Sequence, residues 1–362
     1  MNIDDDLSSL DELHSLAERG DVEAQYDLSL MYEVGMGVPQ DDTLAAQWFR
    51  KAAEQGHPHA QYNLGNMYFQ ARGVPQNHEK AMVWLRMAAE QGHAYAQYNL
   101  GNLHYHGNHV EQDDRLALAW FLKAAEQGHA KAQNSLGIMY AKGEGVSRNL
   151  NQAAAWFLKA ASQNYAPAQV HMGYVCAMGL GVPQNDTEAL AWYTKAAEQG
   201  DPRAQNNLAV RYAKGQGVPK NDAQAVLWYH MAAEQGHPRA QNNLGLRYAK
   251  GEGVPQDHAV ATAWFRKAAE QGHAESQCNL GVCYAKGQGV NKDDDEAALW
   301  YRKAANQGYV KAQYNLGGMY LKGRGVPQSD AQAVAWLRRA SEQGHDKAEK
   351  ILHTVLKRLL AR

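Results

Sequence analysis

A tryptophan stands at positions 48, 84, 120, 156, 192, 228, 264, 300 and 336, so each is 36 residues from the next, with no insertion or deletion between them. These are all nine tryptophans of the chain, and the residues around them repeat with them. A fixed period of this length means that one small supersecondary unit is written many times, and that each unit must stack on its neighbours to cover its apolar face. Most of the 362 residues therefore form one repeat array rather than several globular domains.

Each unit reads as two helices. In the first, Ala24, Leu28, Met31 and Tyr32 recur at helical spacing and mark helix A. Gly35-Met36-Gly37-Val38-Pro39 ends it, with a glycine for the left-handed cap and a proline that cannot continue a helix. Asp41 and its equivalents (Asn77, Asp113, Asn149, Asn185, Asn221, Asp257, Asp293, Ser329) carry side chains that cap free N–H groups, so helix B begins after them. Ala45, Trp48, Phe49, Ala52 and Ala53 then cover more than one face, as a helix packed on both its partner and the next unit requires. The tryptophans are therefore expected in the core, with Trp156→Ala a large core truncation. Gly56 and its equivalents close the unit, replaced once by Asn164, which also tolerates a left-handed cap. Pro58, Pro202 and Pro238 fall at the start of the following helix A, where the missing N–H costs little.

Residues 240–272 read A-Q-x-x-L-G-x-x-Y-x-x-G-x-G-V-P-x-D, then A-x-x-W-F-x-K-A-A-x-Q-G. This pattern resembles the Sel1-like repeat family, relatives of the tetratricopeptide repeats, over nearly the whole chain. The resemblance implies an all-α, right-handed superhelical solenoid of αα-hairpins whose A helices line the concave surface. It also implies a scaffold or adaptor that binds a partner protein or peptide segment in that groove. The expected organisation is a capping half-repeat over 1–21, nine repeats over 22–345 and a capping helix over 346–362. Residues 10–19 read as a worn helix B with Glu12 in the tryptophan's place, and 346–361 as a lone helix A. Two rival roles go with the resemblance: an immunity or inhibitor protein that neutralises a bacterial effector, and an enzyme regulator or a hydrolase of unrecognised type.

Charge gives no footprint for nucleic acid, since 36 Lys and Arg face 38 Asp and Glu. The first twenty residues hold neither a basic stretch nor an apolar one, so a cytoplasmic protein without membrane insertion is expected. Cys176, Cys278 and Cys283 show no paired spacing and are expected to be reduced. No phosphate-binding, dinucleotide or nucleophile motif appears, so neither a cofactor nor catalysis is expected. His104, His106 and His109 form an H-x-H-x-x-H cluster, but His104 occupies the core tyrosine position and a metal site is not expected. The glutamines at 25, 61, 97 and their equivalents recur in every unit and read as hydrogen-bonding links between helices.

Helical geometry places 23, 26, 30 and 33 opposite the core stripe of helix A, with 34 at the edge. In the second and third units these positions offer His59, Tyr62, Asn66 and Phe69, then Tyr95, Tyr98, Asn102 and Tyr105. Flat aromatic surface beside side-chain amides suits an extended partner segment. The sixth and seventh units offer Arg203, Asn206 and Lys214, then Arg239, Asn242 and Lys250, residue types that resemble the carboxylate clamp of some tetratricopeptide domains. Arg211 and Arg247 flank the core and should pair with neighbouring units. Ala71, His109, Glu111 and Ser147 replace the usual loop residues, so those loops are expected to differ in shape. Cys176, Met172 and the Asn164-Tyr165 turn point to looser packing over 164–180.

Overall fold

The computed structural model describes residues 3–360 and contains twenty α-helices, with no strand among the described residues. They belong to two units, one ending at Gln184 and the other beginning at Asn185. The first holds α1 (Ile3–Glu18), α2 (Val22–Val34), α3 (Asp42–Glu54), α4 (Pro58–Gln70), α5 (His78–Glu90), α6 (Ala94–His106), α7 (Asp114–Glu126), α8 (Ala130–Lys142), α9 (Leu150–Ser162) and α10 (Ala166–Met178). The second holds α11 (Asp186–Glu198), α12 (Pro202–Lys214), α13 (Asp222–Glu234), α14 (Pro238–Lys250), α15 (His258–Glu270), α16 (Ala274–Lys286), α17 (Asp294–Asn306), α18 (Val310–Lys322), α19 (Asp330–Glu342) and α20 (Asp346–Leu360). Within each unit every helix packs on the next in sequence, so each is a solenoid of helical hairpins.

The boundaries follow from the residues expected to set them. Asp41, Asn77, Asp113 and their equivalents through Ser329 each accept a backbone N–H of the following helix B. Gly35 caps α2 at φ 75°, and Asn164 stands at φ 62° in place of the turn glycine. The loops expected to differ keep the common form instead: Ala71 caps α4 at φ 57°, and His109 takes φ 60° where Gly73 takes 61°. Seating of the loop on the preceding hairpin evidently outweighs the left-handed penalty of a side chain, about 1–2 kcal/mol.

Alanine, leucine and, in most hairpins, an aromatic of helix B make the core, with Leu85 and Leu337 in its place in the second and ninth. Ala45, Phe49, Ala52, Leu64 and Tyr68 form one cluster, and Ala117, Phe121, Ala124 and Leu136 another. The ring of helix B sits against a glycine of helix A: a Cβ on Gly137 would lie 2.5 Å from Phe157. The tryptophans depart from expectation. Trp48, Trp264, Trp300 and Trp336 are buried, whereas Trp84, Trp120, Trp156, Trp192 and Trp228 are half-buried. Lysines three residues on lie over several of these rings, with Lys159 Nζ 4.1 Å from the Trp156 centroid. The five half-buried rings are packed at the rim of the core.

The N-terminal helix starts at Ile3, well before residue 10, and its Ala17 carbonyl accepts from Gln25 as that of Ala53 accepts from Gln61. It is thus in helix B register. Around 164–180 the helix itself is not loose: Ala168, Val170, Met172, Val175 and Cys176 are all buried. The free volume lies beside it, between α8 and α10.

Candidate interaction surface

Most A helices begin at a side-chain cap, most often histidine; α10 and α18 begin at Tyr165 and Tyr309, whose side chains do not cap. His93 Nδ1 accepts the N–H of Ala96 at 3.2 Å, and His57, His129, His237 and His345 act likewise. That bond fixes the proton of His93 on Nε2, which donates to His59 Nδ1 at 2.9 Å. Burial, with the nearby His59 and His57, lowers His93 from the ordinary imidazole value of 6.5 to about 4. Burial lowers His129, His237 and His273 as well.

These caps explain where the predicted aromatics go. Tyr62 stacks on His93 with centroids 4.6 Å apart, and Tyr98 lies 4.7 Å from His129. Both tyrosines are half-buried, because the next repeat covers a face that helix geometry alone leaves open. Tyr95 is 58 % exposed and edges onto His129. Asn66, Phe69 and Asn102 do come together, in an open groove between α4 and α6 that Asn99, Leu103 and Asn108 complete. Asn99 donates to Asn66 Oδ1 at 3.5 Å across it. Tyr105 is set apart from them by its own bonds, donating to Glu144 at 2.7 Å and accepting from Lys142 at 3.2 Å. Asn99 and Asn108 were not singled out from the sequence, since asparagine is common at the first position and the second lies in a loop.

The carboxylate clamp is not formed. Asn206 and Asn242 are buried rather than exposed. Asn206 Oδ1 accepts from Asn243 at 3.1 Å, and Asn242 Oδ1 from Ser276 and Asn279, each at 2.9 Å. Their side-chain carbonyls join successive A helices. Arg203, Arg239, Lys214 and Lys250 are exposed, but Arg203 pairs with Asp201 at 2.7 Å and Lys250 lies 3.8 Å from Glu252. Arg211 and Arg247 pair with Asp186 and Asp222 of the preceding repeats, at 2.5 and 2.9 Å.

The histidine cluster does not converge. His104 is buried in α6, His106 is exposed, and His109 stacks on His78 with centroids 3.6 Å apart. Among the described residues no group of three or more His, Cys, Asp or Glu is arranged to hold a metal. The three cysteines are buried and none is in a disulfide, and burial pushes the Cys278 thiol up to about 12.

The Sel1 repeat family model matches residues 22–57, 58–93, 94–129, 130–165, 166–201, 202–237, 238–273, 274–309 and 310–345. The chain belongs to the Sel1 repeat family. Proteins of this family are typically scaffolds for protein–protein interaction. Two solved structures are similar to this Sel1 repeat protein along most of their length. One is c5321, described as a protective antigen of uropathogenic Escherichia coli with an SLR fold, 36 % identical, with 96 % of this chain and 82 % of that one covered and a TM-score of 0.64. Another is a Sel1 repeat protein from Oxalobacter formigenes, 35 % identical, with 87 % and 93 % covered and a TM-score of 0.66. None of the curated proteins matches the chain. Among the described residues no helix is long and apolar enough to cross a membrane.

Proposed function

We propose that this Sel1 repeat protein is a protein-binding scaffold that holds an extended segment of a partner along the A helices of its first unit. The supporting observation is the open groove between α4 and α6, where Asn66, Asn99 and Asn102 stand beside the Phe69 ring. Side-chain amides both donate and accept, so they match the alternating N–H and C=O groups of an extended backbone without fixing its sequence. Phe69 adds apolar contact area, and the exposed Tyr95 ring flanks the same row of helices. No cofactor enters this reading, and the groove contains no nucleophile paired with a base.

The test is capture of the partner from the native host on the immobilised chain, compared with the Asn66→Ala/Asn102→Ala variant. The variant is expected to lose the captured protein while unfolding at the parental midpoint. Equal capture by both would reject the groove as the contact surface.

A further inference from the structure

Helix B carries phenylalanine at 49, 121, 157 and 265 and tyrosine at 193, 229 and 301. A buried tyrosine in place of phenylalanine adds a hydroxyl that needs a partner. Two of the three tyrosines have an arginine of the following helix A over the ring, Arg211 at 5.8 Å from Tyr193 and Arg247 at 5.9 Å from Tyr229. In the ninth repeat that arginine position holds Met319. Tyr301 is 5 % exposed, and its hydroxyl has no hydrogen-bond partner among the described residues. Burial raises its pKa, so the group stays a donor at neutral pH. It lines an open pocket of the second unit, between α16, α17, α18 and α20.

Gly318 opens that pocket. It stands inside α18, where a glycine weakens the helix, and no close neighbour requires it: a Cβ there would meet nothing within 4 Å. The other eight repeats carry a side chain at this position, among them Leu30, Val210, Leu246 and Val282. Three cations, Lys286, Lys322 and Arg324, line the space against one carboxylate, Asp294. Arg324 donates twice to Asp294, at 2.8 and 3.1 Å. The two lysines have no ion-pair partner among the described residues, whereas Lys142 and Lys250, at equivalent positions, lie 3.2 and 3.8 Å from Glu144 and Glu252. An exposed lysine is ordinarily just solvated. Here two of them line a space that a glycine opens and that a buried, partnerless hydroxyl borders.

We propose that this pocket binds a phosphate monoester, with the phosphoryl group among Lys286, Lys322 and the Tyr301 hydroxyl and the organic body against Met319 and Ile351. The pocket offers donors and two uncompensated positive charges. A phosphoryl group brings three acceptor oxygens and a charge of about −1.5 to −2 at pH 7. A carboxylate brings about half that charge, and a neutral guest leaves both lysines unmatched. Lysine suits phosphate as a point charge that demands no single geometry. Small phosphate esters and a phosphorylated residue of a partner protein share this chemistry. The site is independent of the groove between α4 and α6, so either can fail without the other.

Titration calorimetry on the full chain would compare phenyl phosphate with benzoate, which has the same ring and one charge, and with degenerate peptides bearing one phosphotyrosine. Phenyl phosphate is expected to bind roughly tenfold or more tightly than benzoate. Lys286→Gln with Lys322→Gln should remove that preference. Tyr301→Phe keeps the ring and should weaken phenyl phosphate roughly tenfold. Without ligand the same variant should unfold at or above the parental midpoint, because no hydrogen bond is lost. Gly318→Leu, which copies Leu30 and Leu246, should abolish binding with the fold intact. Phosphotyrosine peptides bound more tightly than phenyl phosphate would make a modified partner protein the source, and the reverse order a small ester. The site would be overturned if no phosphate bound, if benzoate bound as tightly, or if Tyr301→Phe and Gly318→Leu bound like the parent. A Tyr301→Phe chain that unfolded earlier would overturn it too, by showing that the hydroxyl serves the fold.

Discussion

Gln55 donates its side-chain amide to Gln25 Oε1 at 2.8 Å, while Gln25 donates to the carbonyl of Ala17 at 3.0 Å. The pattern returns as Gln91, Gln61 and Ala53, as Gln127, Gln97 and Ala89, and in the second unit as Gln235, Gln205 and Ala197. The inner glutamine is buried at each site, so one amide ties its own hairpin to the one before. The same carbonyl also accepts the N–H of the turn glycine, as Ala89 does from Gly92, so the glutamine adds a second bond there and a link to the next hairpin.

Gln97→Ala should therefore cost about 0.5–1.5 kcal/mol for each of the two hydrogen bonds it removes. Gln127→Ala, which removes the exposed partner, should cost less. Urea unfolding of the two variants checks this, and an unshifted midpoint for Gln97→Ala would show that the ladder contributes nothing.

Acid should weaken the fold through the histidine caps. His93, lowered to about 4, resists protonation in the folded chain but accepts a proton near 6.5 once unfolded. The unfolded state then binds more protons between those values, so stability is complete above 6.5 and falls as the pH drops toward 4. His129, His237 and His273, lowered for the same reason, act in the same direction. His93→Asn keeps a capping side chain that does not titrate, and should flatten the slope of unfolding midpoint against pH over that interval.

Trp120 and Phe121 are neighbours with different standing. Phe121 is fully buried against Gly101, while Trp120 is half-buried beneath Lys123, whose Nζ lies 4.3 Å from the ring. Phe121→Ala should cost about 3–5 kcal/mol. Trp120→Ala should cost clearly less, and the same order holds for Trp156 relative to Phe157. A larger loss at either tryptophan in chemical unfolding would place it in the core after all.

Helix boundaries, caps, the glutamine links and the pairing of Arg211 and Arg247 were legible because each depends on residues within one unit or at a fixed spacing. The faces of helix A were not. A helical wheel puts Tyr62, Asn206 and Asn242 away from the core, but it contains no neighbour, and the next A helix covers them. A signal was present: tyrosine at this position is followed 31 residues later by a capping histidine in Tyr26 and His57, Tyr62 and His93, Tyr98 and His129, and Tyr314 and His345, each a ring contact. Asparagine there is followed after 37 residues by another, as in Asn206 and Asn243. The pocket beside α10 went unseen for a related reason, since Leu150 and Leu180, far apart in sequence, line it together only in the folded chain.

Gly128 and Gly145 separate the two demands made on glycine in each repeat. Gly128, at φ 89°, has nothing within 4 Å of where a Cβ would stand, so Gly128→Ala meets only the left-handed penalty of about 1–2 kcal/mol. Gly145, at φ 66°, seats its loop on the first residue of the preceding helix B, and a Cβ would overlap the Asp114 carbonyl. His109 holds the same backbone form with a side chain present, its ring stacking on His78 at the equivalent place. Gly145→Ala has no such compensation and must displace backbone, so its unfolding midpoint in urea should fall further than that of Gly128→Ala. If the two fell equally, the loops would be held by their own helix caps alone, and the seating between neighbouring repeats would carry no energy.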